Sequence, residues 1–279
     1  MSETAFQNQY RQEYIKTFEQ TYSQMRLACV QEAVIKGNVA VFLVAGSGGA
    51  SAVTRGINGL IPFGVVDNTQ LSCTLSEKHG PFETTDFNIF ASQGNQKRIM
   101  QEASMATLNR DIDDVIIAQL DTATQDTATA VEANMSLVEM AMTILGNNDV
   151  PVEDEDNIFA IITPAFRAFI RQTKEYTSGD YQQVKMLSGP VRRVWRAAGI
   201  NWITSTRLTG KATSSEKCYF LHRNAMGHAA NMKEMEVDVG YEKKQKNSWT
   251  NASLYHGAKL LQNSGIVQVL HDGSRYVAS

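Results

Sequence analysis

Hydrophobic positions recur with a helical period in the middle of the chain. Apolar side chains follow one another at intervals of three or four residues at Met105, Leu108, Ile112, Val115, Ile116 and Leu120. This spacing places them on one face of an α-helix. Gly94 and Asn95 suit the start of such a helix, and no Gly or Pro interrupts it afterwards. The pattern predicts one continuous helix of more than about six turns over residues 95–120.

The N-terminal segment shows a second helical pattern. Its apolar side chains are Ile15, Phe18, Tyr22, Met25 and Cys29. Lys36 and Gly37 are suited to a C-terminal stop, so the pattern predicts a helix from about residue 7 to residue 36. The narrow apolar stripe fits two interpretations, a helix packed on its own domain and a helix that docks on another subunit.

Between residues 38 and 92 the helical period is lost. Residues 39–44 form an apolar strand pattern, a Gly-rich stretch follows over 45–60, and β-patterns over 65–75 and 82–90 flank a predicted turn over 77–81. A disordered surface loop is one interpretation of this region. The apolar side chains favour the other interpretation, in which they require a partner surface: Ile57, Leu60, Ile61, Phe63, Val65 and Val66.

The remaining chain mixes helices and strands. Predicted helices cover residues 136–145, a segment opened by Thr163 as N-cap and Pro164, and residues 224–232. Predicted strands cover 158–162, 217–222, 235–241, 249–255 and 266–270, with a hairpin over 191–195 and 199–205. Because the strands and helices do not alternate as βαβ units, the pattern predicts an α+β fold.

Composition narrows the class of protein. The chain has 279 residues, is 43% hydrophobic and carries a net charge of −3. A dedicated nucleic-acid binder would be basic, so the net charge argues against this class. Cys29, Cys73 and Cys218 are scattered and indicate reduced core thiols. The N-terminus lacks the apolar stretch of a signal peptide, and the longest apolar run, residues 39–45, is too short to span a membrane. We therefore expect a soluble cytoplasmic product.

Few residues offer catalytic chemistry. Residues 46–49 are Gly-rich but lack the following Lys-Ser or Lys-Thr of a phosphate loop, and no GxSxG motif occurs. His222 and His228 lie too far apart for an HExxH site, and the acidic run 153–156 is typical of a solvated turn. Cys73 and His79 are a thiol and a base that could be paired for nucleophilic chemistry, but the sequence shows no third catalytic group beside them. The sequence predicts no catalytic residue, no cofactor and no metal site.

Several segments, taken in order, resemble a known family. They are Arg55, residues 60–62, 84–86, 109–117 (NRDIDDVII), 189–191, 199–205, 222–229, 253–258 and 265–269. Their order and spacing, over nearly the whole chain, resemble the major capsid proteins of tailed bacteriophages, which have the Hong Kong 97-like shell fold. The resemblance implies an α+β capsid subunit, not an enzyme, with an N-terminal helical arm, a long extended β-loop, a spine helix, a peripheral domain and an axial domain.

The resemblance also implies a division of the chain. Residues 1–37 would be the arm, 38–92 the extended loop with the strand that leads into it, and 93–157 the peripheral domain with the spine helix. Residues 158–215 would be the axial domain, and 216–279 the strands that return to the peripheral and axial domains. Because the chain begins almost at the arm, the resemblance implies a separate scaffolding protein and no internal one.

On this basis we expect an icosahedral shell of pentamers and hexamers, assembled in the host cytoplasm, that encloses double-stranded DNA without sequence-specific binding. A portal and a decoration protein are further expected partners, and no membrane is involved. Candidate contacts between subunits are Phe18, Tyr22, Met25, Ile57, Leu60, Ile61, Phe63, Lys78, Glu83 and Arg110. An encapsulin-like nanocompartment shell is the alternative, and a soluble hydrolase that uses Cys73 is a remote third.

Overall fold

The protein combines segments that are distant in sequence into two compact units. The computed structural model describes residues 20, 22–31, 34–47, 49–59, 61–92, 96–174, 194–231 and 237–276. Unit 1 takes its described residues from segments 1–23, 76–114 and 230–256. Unit 2 takes them from segments 24–75, 115–229 and 257–279.

Helices and strands are intermixed along the chain. The helices are α1 (Asp86–Ser92), α2 (Gln96–Leu120), α3 (Met135–Asn147) and α4 (Pro164–Ile170). The first strands are β1 (Val34–Lys36), β2 (Val39–Gly46), β3 (Asp67–Thr74), β4 (Ser76–Thr85), β5 (Ile158–Ile162) and β6 (Val194–Ala197). The others are β7 (Ile200–Thr204), β8 (Glu216–His222), β9 (Met226–Ala230), β10 (Val237–Glu242), β11 (Asn247–Leu260) and β12 (Ile266–His271). This mixture confirms the predicted α+β class.

The long helix α2 runs without a break, as its sequence pattern predicts. Its buried positions repeat every four residues at Met100, Ser104, Leu108, Ile112, Ile116 and Leu120, each at most 7% exposed. Met105 and Val115, which the sequence pattern placed on the same stripe, are only half-buried. The observed helix begins at Gln96, and Asn95 lies outside the described residues.

In unit 1 the strands β10, β11 and β4 pair antiparallel in that order. Helix α2 contacts one face of this sheet through Ser104, which is fully buried. The Ser104 hydroxyl donates a hydrogen bond to the Gly80 carbonyl and accepts one from the Ala252 N–H at 2.9 Å. A Cβ at position 80 would lie 2.8 Å from the Ser104 carbonyl oxygen. Gly80 therefore allows the helix and the sheet to approach closely.

The main sheet of unit 2 has the strand order β12-β8-β5-β7-β6. Its central strand β5 is buried at all five positions, pairs parallel with β7 and pairs antiparallel with β8. Thr163 caps α4 by accepting the Phe166 N–H at 3.2 Å, and Pro164 follows it, as predicted. Phe166 packs near Trp202 and Phe220 with ring centroids 6.4 Å away in each case. Aromatic packing of this kind forms the core of unit 2.

A smaller antiparallel sheet in unit 2 has the order β1-β2-β3. β2 and β3 pair from Val39–Thr74 to Gly46–Asp67. The end of this ribbon near Val39 is anchored by a buried cluster of Ala40, Phe42, Cys73 and Ala229. The residues that follow Gly46 leave this anchored base as a loop.

The predicted N-terminal helix is wrong over its described part. Residues Met25–Ala28 form one 3₁₀ turn, and Val34–Lys36 belong to β1. The Val30 N–H donates to the Met226 carbonyl at 2.8 Å, and the Val30 carbonyl accepts from the His228 N–H at 2.9 Å. These backbone groups pair with β9, so they are not available to a continuous helix. Residues 1–19 lie outside the described part of the chain.

Three other sequence predictions are wrong in whole or in part. The expected turn over 77–81 lies inside β4, which continues to Thr85. Helix α1 begins at Asp86, so the expected strand over 82–90 is observed only over 82–85. Pro81 is tolerated because β4 is the last strand of its sheet in the order β10-β11-β4. The predicted helix over 224–232 is a 3₁₀ turn followed by β9. In the described part of the chain no helix is long and apolar enough to cross a membrane.

Candidate assembly surfaces

The loop between β2 and β3 exposes apolar side chains. Residues 49–59 and 61–66 are all exposed. Ile57, Phe63 and Val65 are 107%, 96% and 90% exposed. A turn near the loop centre is closed by the Gly59 N–H, which donates to the Gly56 carbonyl at 2.9 Å, and Gly59 has a φ of +74°. Several large apolar side chains exposed on one loop are unusual in a monomeric protein and make this loop a candidate interaction site.

The sequence-predicted loop residues are therefore accessible, with one outside the described residues. Ile61 is also exposed, at 46%, and Leu60 is the undescribed position. The final β2–β3 pair, Gly46 and Asp67, fixes both ends of the loop at adjacent positions. The loop is thus a long insertion between two paired strand ends, and its removal need not disturb the anchored base of the ribbon.

The N-terminal candidate residues differ in their surroundings. Tyr22 is 56% exposed, whereas Met25 is fully buried and packs in the core of unit 2. Burial within its own chain does not favour a contact of the Met25 side chain with another copy. Phe18 lies outside the described residues. Whether these residues contact another subunit stays a prediction.

A buried aspartate that the sequence analysis did not single out holds the described start of the chain. Asp113 on α2 is fully buried. Its carboxylate accepts hydrogen bonds from the Gln20 amide and from the Ser23 hydroxyl, the latter at 2.6 Å. Arg110, on the preceding turn of α2, donates to the Thr107 hydroxyl at 3.1 Å. Nothing in the local sequence indicates partners that are 90 residues away or more.

Lys78 takes part in a charged cluster on the helix side of the unit 1 sheet. Its Nζ lies 3.3 Å from Asp111 Oδ1, and His256 Nε2 lies 2.9 Å from Asp111 Oδ2. Burial lowers the pKa of His256, while the hydrogen bond to Asp111 opposes this shift. The cluster joins α2 to β4 and β11. Lys78, Glu83 and Arg110 are the remaining candidate contacts between subunits. Lys78 and Arg110 have partners within the chain, whereas Glu83 is exposed.

A second cluster fixes the end of α2 in unit 2. Asp121 accepts hydrogen bonds from the Tyr219 hydroxyl at 2.6 Å, the Thr209 hydroxyl at 2.7 Å and Lys217 Nζ at 3.1 Å. Burial alone would raise the pKa of Asp121, but these hydrogen bonds outweigh it and lower the pKa. The same burial and the nearby carboxylate raise the pKa of Tyr219. The arrangement is a saturated structural contact, since several donors converge on one carboxylate.

Among the described residues, the groups that the sequence analysis considered for chemistry make structural contacts. Burial raises the pKa of the Cys73 thiol, and it raises that of Cys218 to about 12, so neither thiolate is favoured. His79 contacts Glu77 and Asn251. No group of three potential metal-binding side chains occurs among the described residues. In the acidic run, Asp154 accepts from Asn157 and Asp156 pairs with Arg196, as in an exposed turn.

Comparisons with known proteins found a matching family model and similar solved structures. A family model described as phage capsid protein matches residues 3–273. A structure from Mycobacterium phage Che8 has a TM-score of 0.77 at 15% identity, with 96% of this chain and 98% of that chain covered. The capsid of Ralstonia phage GP4 has a TM-score of 0.71 at 9% identity, with 99% and 98% covered.

A gene transfer agent particle provides a third similar fold. The capsid of the empty particle has a TM-score of 0.66 at 13% identity, with 95% of this chain and 94% of that chain covered. A search of curated proteins found no match. The likeness to these structures shows a shared fold over nearly the full length of each chain.

Proposed function

The chain belongs to the phage capsid protein family and is a major capsid protein of the Hong Kong 97-like fold that forms a shell, and on this premise we propose how its copies are joined. In this proposal the exposed loop 49–66 docks on a neighbouring copy. The observation that carries the proposal is the almost complete exposure of Ile57, Phe63 and Val65 on one loop.

The energetics favour such docking. Burying a fully exposed Val, Ile or Phe side chain contributes about 1.5–3 kcal/mol. Ordering an interface side chain costs about 0.5–1.5 kcal/mol, so each buried apolar side chain contributes a gain, while the association itself costs about 4–15 kcal/mol and therefore requires further contacts beside the loop. A loop on one copy that binds a different surface on the next copy is a heterologous contact, and repeated contacts of this kind close into rings. Rings of five and six copies would then build an icosahedral shell.

The other expected roles belong to the same proposal. Residues 1–37 act as an arm, 93–157 as the peripheral domain and 158–215 as the axial domain, with 216–279 returning to both. The shell is assembled in the host cytoplasm and encloses double-stranded DNA without sequence-specific contacts, since the chain carries a net charge of −3. A scaffolding protein, a portal and a decoration protein are its partners. The chain itself performs no catalysis. The family match does not favour an encapsulin-like compartment.

The decisive experiment removes the loop and preserves its base. Residues 47–66 are replaced by Asn-Gly, which forms the tight turn that suits a two-residue hairpin between Gly46 and Asp67. This replacement retains all of β3, including the buried Cys73. We expect subunits with an unchanged circular dichroism spectrum and cooperative unfolding that sediment as monomers or small oligomers.

A matched control keeps the loop at full length and replaces the exposed Thr54 by Ala. This variant should form shells of normal size in the same assembly conditions, as judged by sedimentation and negative-stain electron microscopy. Normal shells from the loop replacement would refute the docking role of the loop. Unfolded subunits from the loop replacement would mean instead that the loop is required for the subunit fold.

A further inference from the structure

Two residue pairs in the chain have a sequence that favours attack of the backbone on a side chain. In Asn-Gly and Asp-Gly pairs the glycine nitrogen can attack the side-chain carbonyl carbon of the preceding residue, because glycine has no Cβ to hinder the approach. The chain contains one Asn-Gly pair, Asn58–Gly59, and one Asp-Gly pair, Asp272–Gly273. Both pairs meet the sequence requirement, so the structure around each pair decides whether the reaction is open to it.

The structure closes this reaction at Asp272–Gly273. The Asp272 carboxylate accepts hydrogen bonds from the Ser274 N–H at 3.0 Å and from the Ser274 hydroxyl at 2.7 Å. These bonds lower the pKa of Asp272, and an ionised carboxylate reacts poorly with a nitrogen. Gly273 is buried, and its N–H donates to the Thr213 carbonyl at 3.1 Å. A Cβ at position 273 would meet the Glu216 carboxylate, so the backbone also has no space in which to rearrange.

The surroundings of Asn58–Gly59 are the opposite. Both residues are exposed at the central turn of the loop 49–66. Among the described residues, none forms a hydrogen bond with the Asn58 side chain. The Gly59 nitrogen is held only by the turn bond to the Gly56 carbonyl at 2.9 Å. Exposed turns open readily, and opening this one frees the nitrogen to approach the Asn58 amide.

We propose that Asn58 is a site of spontaneous deamidation in subunits that have not assembled. The Gly59 nitrogen gives its proton to hydroxide and attacks Asn58 Cγ. A bond forms between these two atoms to close a succinimide ring, the bond from Cγ to the side-chain nitrogen breaks, and ammonia leaves. Water then opens the ring at either of its carbonyl carbons. One opening leaves aspartate at position 58, and the other leaves isoaspartate, in which the main chain passes through the former side chain.

The modification would act on the loop that we propose to join the copies, and this consequence rests on that proposed function. Both products place a carboxylate beside Ile57, and a carboxylate is costly to bury in an apolar contact. Isoaspartate also lengthens the main chain within the Gly56–Gly59 turn. Free subunits would therefore lose their ability to assemble as they age, whereas a docked loop would be protected from the reaction.

The test follows purified, unassembled subunits in a mildly alkaline buffer by peptide mass spectrometry and by labelling with an isoaspartate methyltransferase. Replacement of the amide nitrogen by oxygen makes the peptide that contains Asn58 about 1 Da heavier. This product should accumulate with time, and faster at higher pH, because the attacking nitrogen must lose its proton. Part of it should carry the methyltransferase label, since water opens the ring at both carbonyl carbons.

Two variants test the geometry. Gly59→Ala adds a Cβ that would meet no atom within 4 Å, so it disturbs no packing, although Gly59 has a φ of +74°. It should slow the reaction roughly tenfold or more, because the Cβ hinders the attacking nitrogen. Asn58→Gln keeps an amide but moves its carbon farther from the Gly59 nitrogen, and position 58 should then stay unmodified over the same period. Deamidation of Gly59→Ala at the parent rate would overturn the proposal.

Two residues of the parent chain serve as internal controls. Asn68 is also exposed, but it is followed by Thr69 and pairs with Ala45 in the ribbon. It should stay intact while Asn58 reacts. Equal rates at Asn58 and Asn68 would mean that exposure alone governs the chemistry, and isoaspartate at Asp272 would mean that the structure gives no protection. Either result would overturn the proposal.

The same measurement on assembled shells separates this proposal from the docking of the loop. Slower deamidation in shells than in free subunits supports both. An equal rate in shells and free subunits would support the deamidation site and contradict the burial of the loop between copies. An unmodified Asn58 in free subunits would refute the deamidation site and leave the docking proposal to its own test.

Discussion

Strand β5 and the loop 49–66 contain similar apolar residues but have opposite surroundings. Every residue of β5 is buried, and its backbone pairs with β7 and β8. The described residues of the loop are exposed, and Gly and Pro interrupt its apolar side chains. The difference teaches that hydrophobicity alone does not separate a core from an interface. The separation depends on whether the backbone can pair within the same chain.

The strongest test places a charge in each region. Ile161→Asp in β5 puts a carboxylate in a position with 0% exposure, and we expect a loss of more than about 4 kcal/mol and no cooperative unfolding. Ile57→Asp in the loop should change the free energy of unfolding by no more than about 0.5 kcal/mol, yet prevent assembly. Thermal unfolding and sedimentation separate the two outcomes. Equal destabilisation by both substitutions would remove the basis of the comparison.

A milder change tests how much apolar surface the loop supplies. Ile57→Ser with Phe63→Ser retains the chain length and should raise the subunit concentration needed for assembly at least tenfold. Each lost side chain is worth about 1.5–3 kcal/mol, and about 1.4 kcal/mol corresponds to a factor of ten. Light scattering over a concentration series provides the measurement, with Thr54→Ala as the control. An unchanged threshold would show that these side chains remain in solvent within the shell.

A third test asks how much a buried polar contact inside unit 1 contributes to the free energy of unfolding. Ser104→Ala leaves the Gly80 carbonyl and the Ala252 N–H without the Ser104 partner, so we expect a loss of about 1–3 kcal/mol. Urea unfolding measures this loss. Ser136→Ala, at an exposed position of α3, should change stability by less than about 0.5 kcal/mol. If the two variants behave alike, Ser104 does not join α2 to the sheet.

The smallest effect concerns pH and the end of the buried strand β8. Burial lowers the pKa of His222, whose Nδ1 accepts the Asn224 N–H at 3.2 Å. An unfolded His titrates near pH 6.5. The native state therefore binds fewer protons, and this contribution to stability is complete above about pH 6.5 and is lost as pH falls from there through the folded pKa. Its slope is at most about 1.4 kcal/mol per pH unit.

His222→Asn keeps a cap acceptor and removes this titration. Denaturant unfolding between pH 7.5 and 5.5 should therefore show a shallower loss of stability for the variant than for the parent. Burial also lowers the pKa values of His256 and His271, so some pH dependence will persist in the variant. An identical slope for variant and parent would contradict the assignment of a neutral His222 in the folded chain.

Much of the fold is predictable where a long local pattern exists. The stripe of α2, the apolar strand β5 and the Thr163–Pro164 helix start all occur as expected. Each depends on side chains within one element, so periodicity and capping preferences are sufficient. The exposed apolar loop was also identified from its residues, although its contacts with other copies stay a prediction.

Short or mixed patterns were less informative. Gly80 and Pro81 by themselves indicate a turn. The strand nevertheless continues through them, because Gly80 makes room for the contact with Ser104 and because β4 is the outer strand of its sheet, where a proline is tolerated. The stripe that includes Met25 indicates a helix, but the backbone near Val30 pairs with β9 instead. In both cases tertiary hydrogen bonds outweighed local preference.

The sequence by itself determined the α+β class, the long helix, the buried central strand and the presence of an apolar loop, because these follow from residue spacing. Only the tertiary structure decided which side chains meet across long sequence separations. Ser23 reaches Asp113 from 90 residues away, and Thr209 reaches Asp121 from 88. Trp249 covers Gly240 because two strands pair in one particular register. Such contacts depend on how distant segments are brought together, which no local period encodes.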